Sequence, residues 1–120
     1  MKKVLVIDDD PDILESMSLI FRYSGFDVHT KPDIHRLLED IESFQPDIIL
    51  LDVFLGVADG TDVCINLKAY PPTQTIPVLM VSAHSNAEEI MSKCPADGFL
   101  PKPFDIDELI GRVNKLIDVN

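Results

Sequence analysis

Asp8 and Asp9 close one apolar run of the chain, Val4-Leu5-Val6-Ile7, and Asp52 closes another, Ile48-Ile49-Leu50-Leu51. Ser82 follows a third run, Ile76 to Val81, and Lys102 comes shortly after a fourth, Gly98-Phe99-Leu100. Three carboxylates brought together repel one another, and each raises the others' pKa unless a cation sits among them. Hard oxygen donors with room left for water suit Mg²⁺, which takes one or two carboxylates together with phosphate oxygens. Beside such an ion, one carboxylate can act as a nucleophile toward phosphorus and form an acyl phosphate. The lysine and the metal would neutralise the phosphoryl oxygens, and the hydroxyl would donate a hydrogen bond to one of them.

That chemistry requires one rim on which all five residues meet. Uninterrupted apolar runs, rich in β-branched residues, read as strands buried on both faces, the mark of a parallel sheet. Between them lie segments of helical period. Asp10 is placed to cap a first helix, with Pro11 at its first position and Ile13, Leu14, Met17, Ile20 and Phe21 as its apolar stripe. Gly25 ends it. Residues Phe26 to Thr30 form a weaker, more polar strand near an edge. Pro32 opens a second helix carrying Ile34, Leu37, Leu38 and Ile41. A loop runs from Asp52 to Gly60, and a third helix carries Val63, Cys64 and Leu67 until Pro71-Pro72 breaks it. Asn86 to Lys93 form a short fourth helix with little apolar surface. Asp105 caps a last one bearing Phe104, Ile106, Leu109, Ile110, Val113, Leu116 and Ile117. Five strand–helix units in alternation predict an α/β fold: an open parallel sheet with helices on both faces and right-handed crossovers. Ligands of such sheets bind outside the carboxyl ends of the strands, where Asp8, Asp9, Asp52, Ser82 and Lys102 all fall.

The 120 residues are expected to make one domain, residues 1–120, and a hydrophobic content of 46% suffices for its core. Ten Lys plus Arg against 21 Asp plus Glu leave a net charge of −11. That balance argues against a nucleic-acid backbone or an anionic membrane as direct partner. Met1-Lys2-Lys3 begins like a secretion leader, but the apolar run that follows stops at Asp8, short of the ~7–15 residues a leader needs. No stretch approaches the ~20 apolar residues of a membrane span. Cys64 and Cys94 are too few for a disulfide framework and read as unpaired core thiols, so a cytoplasmic protein is expected. Asp8, Asp10 and Asp12 could open a calcium loop, but Ile13 stands where that loop needs Gly and Leu19 where it needs Glu. Asp8 and Asp10 also fit the Asp-x-Asp of haloacid-dehalogenase-type phosphatases, for which the chain is short. A flavodoxin-type FMN site would lack its phosphate loops here and would face three repelling carboxylates. His29, His35 and His84 show no metal spacing, and Asp59, Asp62, Glu88 and Glu89 read as solvated.

Four segments, taken together, go further. Val6-Ile7-Asp8-Asp9-Asp10, Leu50-Leu51-Asp52-Val53-Phe54-Leu55, Val81-Ser82-Ala83 and Leu100-Pro101-Lys102-Pro103-Phe104 resemble, in order and nearly in spacing, the receiver domain of two-component response regulators. The likeness spans the whole chain. It implies a flavodoxin-like, five-stranded parallel sheet in the order 2-1-3-4-5. It implies Asp52 as phosphoacceptor, Asp9 as direct Mg²⁺ ligand and Asp8 as its partner, with the backbone carbonyl of Phe54 as a further ligand. Ser82 matches the switch hydroxyl, and Lys102 the lysine that pairs with the phosphate. Pro103 matches a proline after a cis peptide, and Phe99 the aromatic that swings between exposed and buried as Ser82 moves.

The donor implied is a phospho-histidine on a sensor histidine kinase or histidine phosphotransfer protein, and the recipient of the signal a downstream protein or output domain outside this chain. Such a protein is a signalling element rather than an enzyme, although it assists its own phosphorylation and slow dephosphorylation. Three departures stand out. Gly56 replaces the usual Pro, Pro95 stands where Gly commonly precedes Ala96-Asp97, and the span from Ser82 to Lys102 is slightly short. A short or irregular fourth helix is therefore expected, and dimerisation through the face of helix 4, strand 5 and helix 5 is not to be assumed. Phe54 and His84 occupy positions that tune dephosphorylation in receivers. The alternative is a receiver fold used as a phosphate-independent adaptor; such a protein would often have lost one of the five site residues, and all five are present.

Overall fold

A computed structural model describes residues 1–83 and 86–118. The strands are β1 (Lys3–Ile7), β2 (Asp27–Lys31), β3 (Ile48–Asp52), β4 (Phe54–Leu55), β5 (Ala58–Asp59), β6 (Val78–Ser82) and β7 (Gly98–Pro101). The helices are α1 (Pro11–Tyr23), α2 (Leu37–Phe44), α3 (Gly60–Ala69), α4 (Ala87–Lys93) and α5 (Ile106–Asp118). Five strands pair in parallel in the order β2-β1-β3-β6-β7, which is the expected 2-1-3-4-5 once the small antiparallel hairpin β4–β5 is set aside.

Burial explains the strand compositions. β3 and β6 are buried along their whole length, and so is β1 after Lys3, whereas β2 alternates as an edge strand does. Successive side chains of a strand point to opposite faces. Leu5, Ile7, Ile49, Leu51 and Met80 therefore pack on one side with Ile41, Leu67 and Ile90 of α2, α3 and α4. Val4, Val6, Leu50 and Leu79 pack on the other with Leu14, Phe21, Leu109 and Val113 of α1 and α5. Phe21 and Phe26 meet edge to face, with ring centroids 5.3 Å apart.

The caps form as their residue types suggest. Asp10 accepts the Asp12 N–H at 2.9 Å, and Asp105 accepts the Glu108 N–H at 2.7 Å. α4 is only seven residues long and ends before Cys94-Pro95. The Lys102–Pro103 bond is cis.

Elsewhere the structure departs from expectation. α2 starts at Leu37, not at Pro32. The Asp33 carboxylate accepts the His35 N–H at 3.0 Å, a local turn that competes with helix, and Arg36 then sits at φ 56°. The stretch after Asp52 is a hairpin rather than a plain loop, and its Gly56 takes φ +70°, which glycine adopts freely. β6 begins at Val78 rather than Ile76. Asp59 is not merely solvated: it caps α3, accepting from the Thr61 N–H at 2.9 Å and the Thr61 hydroxyl at 2.7 Å. His84 lies outside the described residues.

Candidate functional site

The carboxyl end of β1 turns sharply after Ile7. The Asp8 N–H donates to the Lys31 carbonyl of β2 at 3.1 Å, and the Asp8 Oδ1 accepts the Asp10 N–H at 2.9 Å. This leaves Asp8 buried and turns Asp9 outward. Asp52 is the last residue of β3, paired with Val81 of β6, and is also buried. Its Oδ1 accepts the Phe54 N–H at 3.3 Å. One carboxylate oxygen from each of Asp8, Asp9 and Asp52 lies within 4.8 Å of the others.

Lys102 arrives from the far side of the sheet. Its N–H donates to the Ser82 carbonyl at 2.9 Å, which ties the end of β7 to the end of β6. Its Nζ donates to Asp8 Oδ2 at 2.9 Å and stands 3.6 Å from Asp52 Oδ2. A cavity of about 320 Å³ is lined by the acids Asp8, Asp9, Asp10 and Asp52, by Lys102, and by Ile13, Phe54 and Ala83. A larger cleft of about 500 Å³, among residues that lead into β3 and β6, brings in only Glu42 as a carboxylate and lacks this convergence.

The charges are unbalanced, with three carboxylates against one ammonium. Burial, then the neighbouring Asp8, hold the Asp52 carboxyl above its ordinary range, and Lys102 offsets only part of this. Burial pulls the Lys102 ammonium down, but Asp8 and Asp52 prevail and hold it above the usual lysine range. For Asp52 the linkage sign follows. A raised folded-state pKa stabilises the fold below the ordinary carboxylate pKa, and that contribution is lost as pH rises through the folded value. Ionised Asp52 is therefore a cost at neutral pH in metal-free buffer. Asp52→Asn is expected to raise the thermal midpoint in EDTA at pH 7 by roughly 3–6 °C, for about 1 kcal/mol. Differential scanning calorimetry should show that gain shrinking as Mg²⁺ is added and as pH falls toward 4. A variant less stable than wild type in EDTA would refute this balance.

Of the residues singled out from sequence, the structure brings Asp8, Asp9, Asp52 and Lys102 into one cavity, with Phe54 on its wall. Ser82 ends β6 beside that cavity and is 1% exposed; it is the next residue, Ala83, that lines the space. Phe99 is inward, 7% exposed, in the cluster with Leu51, Met80 and Ile90, and its carbonyl accepts from Arg112 Nη1 at 2.7 Å. Asp10 is spent as a helix cap.

Sequence reasoning missed what Gly60 does. Its N–H donates to the Val53 carbonyl at 2.7 Å, and a Cβ at that position would fall 2.0 Å from the Asp52 carbonyl oxygen. A glycine eight residues beyond a strand-end Asp, at the head of a helix, was the available signal.

The chain matches the response regulator receiver domain family over residues 4–114. It is 36% identical over 119 residues to the DNA-binding dual master transcriptional regulator RpaA of Synechocystis, covering 98% of this chain and 49% of that protein. It is 38% identical over 117 residues to the transcriptional regulatory protein PrrA of Mycobacterium leprae, covering 96% and 49%. The chain thus spans about half the length of the curated relatives it matches. Among solved structures, the chemotaxis protein CheY4 of Vibrio cholerae superposes with a TM-score of 0.87 at 25% identity, covering 97% of this chain and 98% of that one.

Proposed function

The chain belongs to the response regulator receiver family, and from that premise we propose that Asp52 takes a phosphoryl group from a phospho-histidine and that the product controls a protein partner or a linked output domain. The observation that carries this reading is the meeting of Asp8, Asp9, Asp52 and Lys102 in one cavity at the carboxyl ends of β1, β3 and β7.

The donor set suits a hard divalent cation: three carboxylates with mutually close oxygens and a net negative charge. Asp8, Asp9, Asp52 and the backbone carbonyl of Phe54 would hold Mg²⁺. Bound there, the ion supplies positive charge against the phosphoryl oxygens. The chain's own groups do the rest. The Phe54 N–H engages Asp52 Oδ1 and so leaves Oδ2, on the Lys102 side, to attack phosphorus. The Oδ2–P bond forms as the P–N bond to the donor imidazole breaks, and the leaving nitrogen keeps the electron pair and takes up a proton. Lys102, already placed between Asp8 and Asp52, then pairs with a phosphoryl oxygen. Ser82, at the neighbouring strand end, donates to another, and the packing of Phe99 follows that movement.

The donor would be a sensor histidine kinase or a histidine phosphotransfer protein. RpaA and PrrA are transcriptional regulators by name. A transcriptional output for this chain would act through another segment or protein, because a surface of net charge −11 does not favour direct contact with DNA. The proposed setting is the cytoplasm, where Cys64 and Cys94 rest as free thiols unless an oxidant reaches them. Among the described residues no helix is long and apolar enough to cross a membrane. The protein is a signalling element that assists its own phosphorylation and slow dephosphorylation, not an enzyme with a separate substrate.

Metal removal tests this reading. Intact mass after incubation with phosphoramidate and millimolar Mg²⁺ should show one phosphoryl adduct. Chelation with EDTA should slow its formation by about 100-fold or more. An adduct that forms at the same rate in EDTA, or none in Mg²⁺ from a folded protein beside a receiver that does react, would overturn the proposal.

A further inference from the structure

Cys64 and Cys94 play no part in the phosphoryl site. Cys64 lies in α3, and Cys94 is the residue that terminates α4. They are 0% and 3% exposed and belong to one apolar cluster on one face of the sheet. An ion pair holds the same two segments together: Lys68, four residues after Cys64, places its Nζ 2.6 Å from Asp97 Oδ2, three residues after Cys94. Asp97 also accepts the Val78 N–H at 2.8 Å, and Lys68 donates to the Ile76 carbonyl at 2.8 Å, so the start of β6 fixes both. Cys94 is tied to α4 through its N–H and its Sγ, which both donate to the Ile90 carbonyl, at 3.2 and 3.5 Å.

We propose that Cys64 and Cys94 form a dithiol–disulfide modification site, in which an oxidant of the disulfide class joins them into one intramolecular bridge that staples α3 to the end of α4. This proposal stands apart from the phosphoacceptor reading. The chemistry balances as two exchanges. The Cys94 thiolate attacks a low-molecular-weight disulfide such as oxidised glutathione, forming a mixed disulfide and expelling one thiolate. The Cys64 thiolate then attacks Cys94 Sγ and expels the second. Two protein thiols are oxidised, one disulfide is reduced to two thiols, and the two protons pass to the departing thiolates.

Cys94 is the better first nucleophile. It is the less enclosed of the two, and it ends a seven-residue helix of which only Ile90 is buried, so a small opening of α4 uncovers it. Cys64 is sealed by α3. Its burial, reinforced by the neighbouring Cys94, pushes the thiol up to about 12, so Cys64 stays protonated and unreactive until the opening of α4 that admits the oxidant also hydrates it. Ile90 and Phe99 share the cluster with both thiols, so the bridge would also fix the wall against which Phe99 packs.

The test is native-state oxidation of the full chain by oxidised glutathione, followed by intact mass and by peptide mapping after alkylation. The expected product has lost two hydrogen atoms, carries no glutathione and shows residues 64 and 94 in one cross-linked pair. Dithiothreitol reverses it, and its thermal midpoint lies above that of the reduced chain by about 5 °C or more. Cys64→Ser should instead keep one glutathione on Cys94. Three results would each overturn the proposal: two separate glutathione adducts on wild type; no reaction of the native chain under conditions that oxidise the guanidinium-unfolded one; or a bridged product with a lowered midpoint.

Discussion

Asp52→Asn should abolish phosphoryl uptake from a phospho-histidine donor, by at least about 10³-fold, without unfolding the protein. The amide has the shape of the carboxylate and keeps an oxygen for the Phe54 N–H, which the wild-type Oδ1 accepts at 3.3 Å. It has no anionic oxygen to attack phosphorus. Lys102 keeps its stronger partner, Asp8 Oδ2 at 2.9 Å, so the cavity does not collapse around the substitution. The variant should therefore be folded, more stable than wild type without metal, and inert. A quenched time course with a radiolabelled phospho-histidine protein reads this directly. Transfer to the variant at the wild-type rate would show that another group is the acceptor.

Gly60→Ala should cost about 3 kcal/mol or more and lower the thermal midpoint by about 10 °C or more. The added Cβ would fall 2.0 Å from the Asp52 carbonyl oxygen, 2.9 Å from Val53 Cα and 3.0 Å from the Asp52 carbonyl carbon. All three are backbone atoms, so relief requires the head of α3 to move away from the end of β3. That movement shifts Asp52 itself. Phosphoryl uptake should fall in the fraction that remains folded, beyond what the loss of folded protein explains. Gly111→Ala is the matched control: it lies on the exposed side of α5, where a Cβ would meet nothing within 4 Å. There the helix preference of alanine should raise stability by about 1 kcal/mol. Chemical denaturation of both variants checks the contrast. Equal behaviour of the two glycines would show that the approach of α3 to Asp52 is not the constraint described.

The strands that carry the site were legible because burial on both faces tolerates only apolar residues. Val4 to Ile7 and Ile48 to Leu51 announce themselves, and the acids that end them stand out against that background. What failed to read from sequence was decided by short-range competition or by tertiary contact. Pro32 is well suited to a first helical turn, yet Asp33 spends its carboxylate on the His35 N–H and postpones the helix to Leu37. The two-residue strands β4 and β5 are shorter than any periodic pattern can reveal. Lys31, on an otherwise half-exposed edge strand, is buried because its Nζ pairs with Asp40 and donates to the His35 carbonyl at 2.8 Å, partners that no spacing rule connects. At the site itself, residue types pointed to the cluster but not to its internal pairing. That Lys102 bonds Asp8 at 2.9 Å and only approaches Asp52 at 3.6 Å is a tertiary outcome that neither residue type nor spacing encodes. Gly60 matters through a backbone that approaches it from the end of the preceding strand, and a residue with no side chain carries no chemical signal of that.

A phosphoryl group on Asp52 can be trapped chemically with borohydride. Wild-type protein phosphorylated in Mg²⁺ is reduced with borohydride, which converts an aspartyl phosphate to homoserine, and the peptides are sequenced by mass. The proposed phosphoacceptor role of Asp52 predicts homoserine at position 52 alone, and none when EDTA is present during phosphorylation. Homoserine at Asp8 or Asp9, or a stable phosphate on His29 or His35 with position 52 untouched, would contradict it.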